Sequence, residues 1–298
     1  MFRTTTVLIA IAALHAHAGV MQPAPDSQPR VTCALYTEHT RVEPGQVTWL
    51  AVEFAIADGW HIYWPGQNDT GYSPHFDWKL PEGWTIGQPR WPAPHRHLSP
   101  GDLLDHVLEQ RAVVLFPVKA PPSAVRGSAA MLTCHVDWLV CKEMCVAESQ
   151  DLMYTFRFTD TAHNPIAEKR SGDFELIARA REALPKPLAV EGADLTAEVE
   201  DDVLVIQSGT PGRLVFCPSD DARAVVDILQ TCVSESGELR VPFKPDDDRP
   251  IAGVIVRSAA SGASESFWYR FPPISSAELD GFETVAERDH FTKQENKP

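Results

Sequence analysis

Short runs in which apolar and polar residues alternate, each soon stopped by a proline or a glycine, are the feature that most restricts the fold of this chain. Leu50, Val52, Phe54 and Ile56 share one face of a run from Thr48 to Ile56. Arg111–Val118 makes a second run, carrying Pro117 near its end and followed by the Pro121-Pro122 turn. Met131–Val140 puts Leu132, Cys134, Val136, Trp138 and Val140 on one side, and Leu152–Phe158 aligns Leu152, Tyr154, Phe156 and Phe158. A repeat of two residues is that of a strand with one buried face. Pro44-Gly45, Asp58-Gly59, Pro81-Glu82-Gly83 and Pro100-Gly101 supply the turns. Many short strands with such punctuation predict a sandwich, not alternating βαβ units.

Asn164 to Pro187 breaks the rhythm. Ser171 or Asp173 caps a helix running to Leu184, which Pro185 and Pro187 stop. Strand-like runs then resume at Leu195–Val199, Val203–Gln207, Arg213–Cys217, Leu239–Phe243, Ile251–Val256 and Phe267–Phe271, with Val225–Gln230 readable as strand or short helix. The expected organisation is mainly β: two β-sandwich domains, 31–160 and 189–274, joined by a short helical linker, 161–188, with a polar tail at 275–298. A chain of 298 residues is long enough for two cores of ordinary size. Arg3, the apolar stretch Val7–Leu14 and Ala16-His17-Ala18 read as a signal peptide over 1–18, so a periplasmic or secreted product is expected. No run approaches the ~18 apolar residues of a membrane span. A formal net charge of −15 argues against nucleic acid and anionic membranes as partners.

Export makes the six cysteines candidates for disulfides. Cys141 and Cys145 lie four residues apart, after an apolar strand, in Asp137-Trp-Leu-Val-Cys141-Lys-Glu-Met-Cys145. In extended chain their Cα atoms would be ~13 Å apart, whereas a disulfide needs ~4.4–6.8 Å. A helical turn brings them nearer but must tighten to close the bond, which would favour an exchangeable disulfide over a staple. Three readings remain open for the pair: a redox couple, an inert disulfide, and a copper or zinc site completed by a nearby histidine. Lys142 favours a thiolate here, while Glu143 and Glu148 oppose it.

At these residues the chain resembles the amino-terminal periplasmic domain of DsbD-type thiol:disulfide interchange proteins, including their ScsB-like branch. The resemblance is carried by Asp58-Gly-Trp-His-Ile-Tyr-Trp64, Asn68-Asp-Thr-Gly71, Asp77-Trp-Lys-Leu-Pro-Glu-Gly83, Trp91-Pro-Ala-Pro94 and the segment Asp137–Cys145, covering roughly 31–160. It implies an immunoglobulin-like sandwich in which Cys141 and Cys145 act as a protein-disulfide reductase or oxidoreductase couple. Electrons would pass from a membrane-embedded or soluble thiol donor to oxidised extracytoplasmic clients, with no organic cofactor. The segment Pro94–His106 takes the place of the family's active-site cap. The aromatic cap residue is absent, and Leu98, Leu103 and Leu104 are the apolar substitutes. The best-known members space their cysteines more widely and also carry a membrane domain and a thioredoxin-like domain. Neither is found here, so the expectation is that electrons arrive in trans.

Trp60, His61, Tyr63 and Trp64 either frame a partner surface together with Trp138, Lys142 and Glu143, or are the mixed core and edge aromatics of a strand. His75, His95, His97 and His106 are expected to be solvated loop histidines. Cys134 lies on the apolar face of its strand, with Cys33 its most plausible mate, and Cys217 with Cys232 is expected to staple the second domain. The alternatives to exchange are a copper-binding module using the same cysteines and a disulfide-stapled interaction protein.

Overall fold

The computed structural model describes residues 29–160, 170–188, 194–259 and 262–273. The expected signal segment and tail, and residues 161–169 of the expected linker, lie outside these. The first part of the chain forms β1 (Val31–Thr37), β2 (Arg41–Val42), β3 (Val47–Ile56), β4 (His61–Tyr63), β5 (His75–Lys79) and β6 (Thr85–Ile86). It continues with β7 (His95–Ser99), β8 (Leu103–Glu109), β9 (Arg111–Lys119), β10 (Ala129–Cys141) and β11 (Cys145–Phe158). Helix α1 (Phe174–Glu182) follows, then β12 (Lys186–Pro187), β13 (Leu195–Glu200), β14 (Val203–Ser208) and β15 (Arg213–Pro218). The last elements are α2 (Ile228–Thr231), β16 (Val233–Ser234), β17 (Glu238–Pro242), β18 (Ile251–Ser258) and β19 (Ser264–Phe271).

Up to Phe158 the strands make two sheets, β1-β3-β9-β6 and β2-β11-β10-β4-β8-β7, with β5 added to β10. The alternation predicts the inner faces: Leu50, Val52, Phe54 and Ile56 of one sheet share a core with Leu132, Cys134, Val136, Trp138 and Val140 of the other. Phe54 meets Trp138 edge-on at 5.7 Å, and Trp84 stacks on Phe156 at 5.1 Å. Each such buried side chain contributes roughly 1.5–3 kcal/mol by its transfer from water. The Gln150 amide crosses between the sheets at their edge. It accepts from the Cys33 backbone N–H at 2.9 Å and donates to the Cys33 carbonyl at 2.7 Å.

α1 does more than connect. Its Ile177 is fully buried against Ala51 and Leu115 on the outer face of the first sheet. Asp173 occupies the N-cap without a side-chain bond. Ser171 does the local work instead, accepting from the Asp173 N–H and donating to the Thr37 carbonyl.

The later strands form the sheets β12-β19-β18-β15-β16 and β13-β14-β17 around Leu204, Ile206, Leu214, Phe216, Leu239 and Phe243. The ambiguous stretch after Val225 becomes α2, capped by Asp227. The opposite face of β15 joins the amino-terminal core, which takes in Cys217 and Val254.

The expected staples do not form: Cys33, Cys134, Cys217 and Cys232 are free, buried thiols. Cys33 and Cys134 stand on facing sheets and remain unbonded. Cys217 and Cys232 fail for a different reason, since they belong to different cores on the two sides of β15. Burial pushes the Cys33 and Cys232 thiols up to about 12, and raises those of Cys134 and Cys217 as well. At neutral pH all four are protonated and poor nucleophiles.

Candidate redox site

Cys141 and Cys145 form a disulfide with a Cα separation of 4.1 Å. No helical turn is involved. β10 and β11 make one long antiparallel hairpin in which Cys141 and Cys145 are directly opposed residues, joined by the exposed loop Lys142-Glu143-Met144. Opposed residues of an antiparallel pair stand ~4.5–5.5 Å apart, so the hairpin itself supplies the proximity. The expectation that a tightened helical turn would close the bond is therefore corrected.

Cross-strand partners share a face of the sheet, which fixes what surrounds the sulfurs. Trp138 and Val140 point into the core, so Cys141 points to the outer face. Its partner on β4 is His61, and Val140 pairs with Ile62, so His61 and Tyr63 share the outer face with Cys141. Tyr63 in turn opposes Val107, and Asp105 opposes His97 on β7.

The two sulfurs are unequal. Cys141 is only 4 % exposed, whereas Cys145 is exposed. The Tyr63 hydroxyl donates to Cys141 Sγ at 3.0 Å and lies 3.4 Å from Cys145 Sγ. It also lies 2.8 Å from Thr70 Oγ1, whose own proton goes to Asp105 Oδ2 at 2.6 Å. Thr70 can therefore only accept from Tyr63, and the phenol has one proton to share between Thr70 and the sulfur. Burial raises the Tyr63 phenol above its ordinary value, which keeps it a donor.

The Asn68-Asp-Thr-Gly71 stretch zips onto β8. Asn68 Oδ1 accepts from the His106 N–H at 2.7 Å, Asp69 Oδ2 from the Leu104 N–H at 2.7 Å, and Asp105 Oδ1 from the Thr70 N–H at 3.0 Å. Gly71 closes it, because a Cβ there would fall inside the van der Waals radius of Tyr63 ring carbons Cζ and Cε2.

The cap is a β-hairpin, β7–β8, turned by Gly101 and Asp102 in the left-handed region. Its leucines divide: Leu104 is buried, while Leu98 and Leu103 are exposed at the tip. His97 lies nearer the site than they do, its ring 4.5 Å from His61 and the His61 ring 5.6 Å from Tyr63. Burial and then the neighbouring His97 lower the His61 imidazole below its ordinary value.

The other expected residues scatter. Trp60 is half-buried under the Arg30 guanidinium, at 5.0 Å. Trp64 and Trp138 are core residues. Lys142 lies over Gly59 and Glu143 is exposed on the hairpin loop. Glu148 is held by the Arg30 side chain and the Val31 N–H. Of the histidines, His75 and His95 are exposed, but His106 is fully buried. Sequence reasoning misses Asp105, includes Thr70 only within a matching run, and reads His97 as a solvated loop histidine. The one signal was the polar Asn68–Gly71 run, which was matched without a role. Among the described residues no group of three or more His, Cys, Asp or Glu side chains is arranged to hold a metal ion, and no helix is long and apolar enough to cross a membrane.

A β-sandwich that presents one solvent-reachable disulfide at a hairpin end, with a hydroxyl donor on its buried sulfur, belongs to the class of disulfide-carrying modules able to exchange with other thiols. Residues 35–156 match the family model of thiol:disulfide interchange protein DsbD, N-terminal. The amino-terminal periplasmic domain of ScsB from Proteus mirabilis is similar in fold, with a TM-score of 0.51 at 14% identity over 84% of this chain and 96% of that one. The reduced DsbD amino-terminal domain of Neisseria meningitidis is 20% identical over 42% of this chain and 91% of that one, with a TM-score of 0.24. Among curated protein sequences, none matches this chain.

Proposed function

We propose that this protein carries electrons between other proteins outside the cytoplasm by dithiol–disulfide exchange at Cys141 and Cys145. The observation that carries the reading is the asymmetry of the couple: one sulfur open to an incoming chain, the other covered and facing a hydroxyl proton. A donor protein's thiolate attacks exposed Cys145 Sγ. The Cys141–Cys145 bond breaks, Cys141 Sγ leaves as a thiolate, and the Tyr63 hydroxyl stabilises it. The donor's second thiolate then attacks the mixed disulfide, releasing Cys145; two electrons have entered and the donor is oxidised. In the reverse half, the Cys145 thiolate attacks a client disulfide and Cys141 resolves the mixed disulfide, leaving the client reduced. In this reading the donor is a membrane-embedded or soluble thiol protein, and no organic cofactor takes part. The two pairs of sheets are two immunoglobulin-like sandwiches, α1 belongs to their connection, and residues 1–18 direct export.

The test is the reduction potential of the couple together with trapping of mixed disulfides. A working couple lies above about −300 mV, and a structural one below. Cys141→Ala, which leaves Cys145 alone, should accumulate mixed disulfides with thiol proteins, and Cys145→Ala should not. A potential below that limit with no trapped species returns the pair to a staple. Stoichiometric copper binding by the reduced protein without exchange would favour a carrier.

A further inference from the structure

Residues 218–229 are bonded to segments flanking the disulfide site by two side chains, Gln67 and Arg96, and by the backbone at Pro65 and Gln67. Gln67 Nε2 donates to the carbonyls of Arg223 at 2.8 Å and Ala222 at 3.3 Å, while its Oε1 accepts from the Val225 N–H at 3.2 Å. Beside it the Gln67 N–H donates to the Pro218 carbonyl at 3.1 Å, and the Asp220 N–H to Pro65 at 3.3 Å. Gly66 lets the chains approach, since a Cβ there would stand 2.8 Å from the Trp64 ring and 3.1 Å from the Pro218 carbonyl. On β7, Arg96 Nη2 donates to the Ile228 and Leu229 carbonyls of α2 at 3.2 and 3.0 Å.

These anchor points stand directly before the site's walls. Gln67 precedes Asn68–Thr70, which zips onto β8 and ends on the Tyr63 hydroxyl. Arg96 precedes His97, which faces the other side of β7 and meets His61 beside Cys141. Two short segments on the amino-terminal side thus have one end fixed by residues 218–229 and the other beside the couple.

We propose that Gln67 and Arg96 are positioning residues of the exchange site, and that residues 218–229 set the geometry of the Tyr63–Cys141 contact. This rests on the exchange reading given above. A hydroxyl donor acts on a leaving sulfur only at hydrogen-bond distance, so loosening the 64–71 segment frees Thr70 and lets the phenol turn away. The effect reaches the sulfur without any change in the residues that touch it.

The experiment uses the full chain with Gln67→Ala, Arg96→Ala and the milder Arg96→Lys, and Arg240→Ala, an exposed side chain paired with Glu200 and Glu238, as control. Two readouts are taken on folded protein: the pH profile of Cys141 alkylation in the reduced form, and the rate of disulfide reduction by glutathione. Gln67→Ala and Arg96→Ala should raise the alkylation midpoint and slow reduction about tenfold, with Arg96→Lys between them and wild type and Arg240→Ala unchanged. If Gln67→Ala unfolds, Arg96→Lys decides alone. Wild-type profiles in the folded seam variants overturn the proposal. A wild-type protein that exchanges with nothing sinks the functional reading, while the alkylation profiles still judge the seam.

Discussion

Tyr63→Phe isolates the contact on which the chemistry turns. The substitution keeps the ring, which is fully buried, and removes the hydroxyl that stands 3.0 Å from Cys141 Sγ and 2.8 Å from Thr70 Oγ1. A hydrogen bond to a charged partner is worth about 1.5–3 kcal/mol, which is what the hydroxyl would contribute once the reduced Cys141 is a thiolate. At 1.36 kcal/mol per unit, the midpoint of Cys141 alkylation should move up by about 1–2 units. Destabilising the thiolate penalises the reduced state, so the couple becomes more reducing, by roughly 30–65 mV. The folded oxidised protein should lose little, because an exposed Thr70 keeps its bond to Asp105 and meets water where the phenol was. Mass-spectrometric alkylation of the reduced protein across pH, read at Cys141 and Cys145 separately, measures the first quantity, and equilibration with glutathione buffers measures the second. A midpoint and potential indistinguishable from wild type would show that the hydroxyl gives the sulfur nothing.

Gly71→Ala should reach the same end by crowding. The added methyl drives back the Tyr63 ring, costs about 1–3 kcal/mol of stability in a thermal or urea melt, and shifts the alkylation midpoint in the direction of Tyr63→Phe. Native alkylation of the reduced protein at neutral pH should modify Cys145 first and Cys141 next, leaving Cys33, Cys134, Cys217 and Cys232 for denaturant, because burial holds those four protonated. His106 predicts an acid limit. Burial first, then Arg96, lowers its imidazole to about 4. The unfolded chain then binds the proton at higher pH than the folded one. Stability from this residue is complete above about pH 6.5 and falls as pH drops towards 4, by about 3 kcal/mol in all. Urea melts of His106→Leu should show a shallower loss over that window, and a parallel loss would acquit His106.

How much of this could be read beforehand depended on the range of the signal. Leu50, Val52, Phe54 and Ile56 announced their strand because one face is buried and the other is not, and the same alternation located the inner face of β10. It failed at the hairpin tip. From Cys141 to Gln150 the chain projects past the core and is mostly exposed, so the two-residue rhythm that marks Met131–Val140 and Leu152–Phe158 fades where the strands continue. With the tip unread, the four-residue cysteine spacing suggested a helical turn. The cysteine bridges were misjudged for a related reason: a strand pattern assigns a face but not the neighbour across it. Cys217 and Cys232 show this, lying close in sequence on opposite sides of one sheet.

The site's polar partners were hidden more deeply. Thr70, Asp105 and Tyr63 are brought together by β4, β8 and the segment between β4 and β5, and no spacing in the sequence records that junction. Yet the arrangement explains why these elements are built so tightly. The imidazole nearest Cys141 is lowered towards neutrality by burial, Lys142 lies over Gly59, and Arg30 is engaged with Glu148 and Trp60. The covered sulfur is met by the Tyr63 hydroxyl. That donor is neutral, and a neutral donor acts only over a few tenths of an ångström in distance and a narrow range of angle. Its placement must then be fixed from several sides. The Asn68–Thr70 zipper, the space left by Gly71 and the Asp105 carboxylate behind Thr70 provide that constraint.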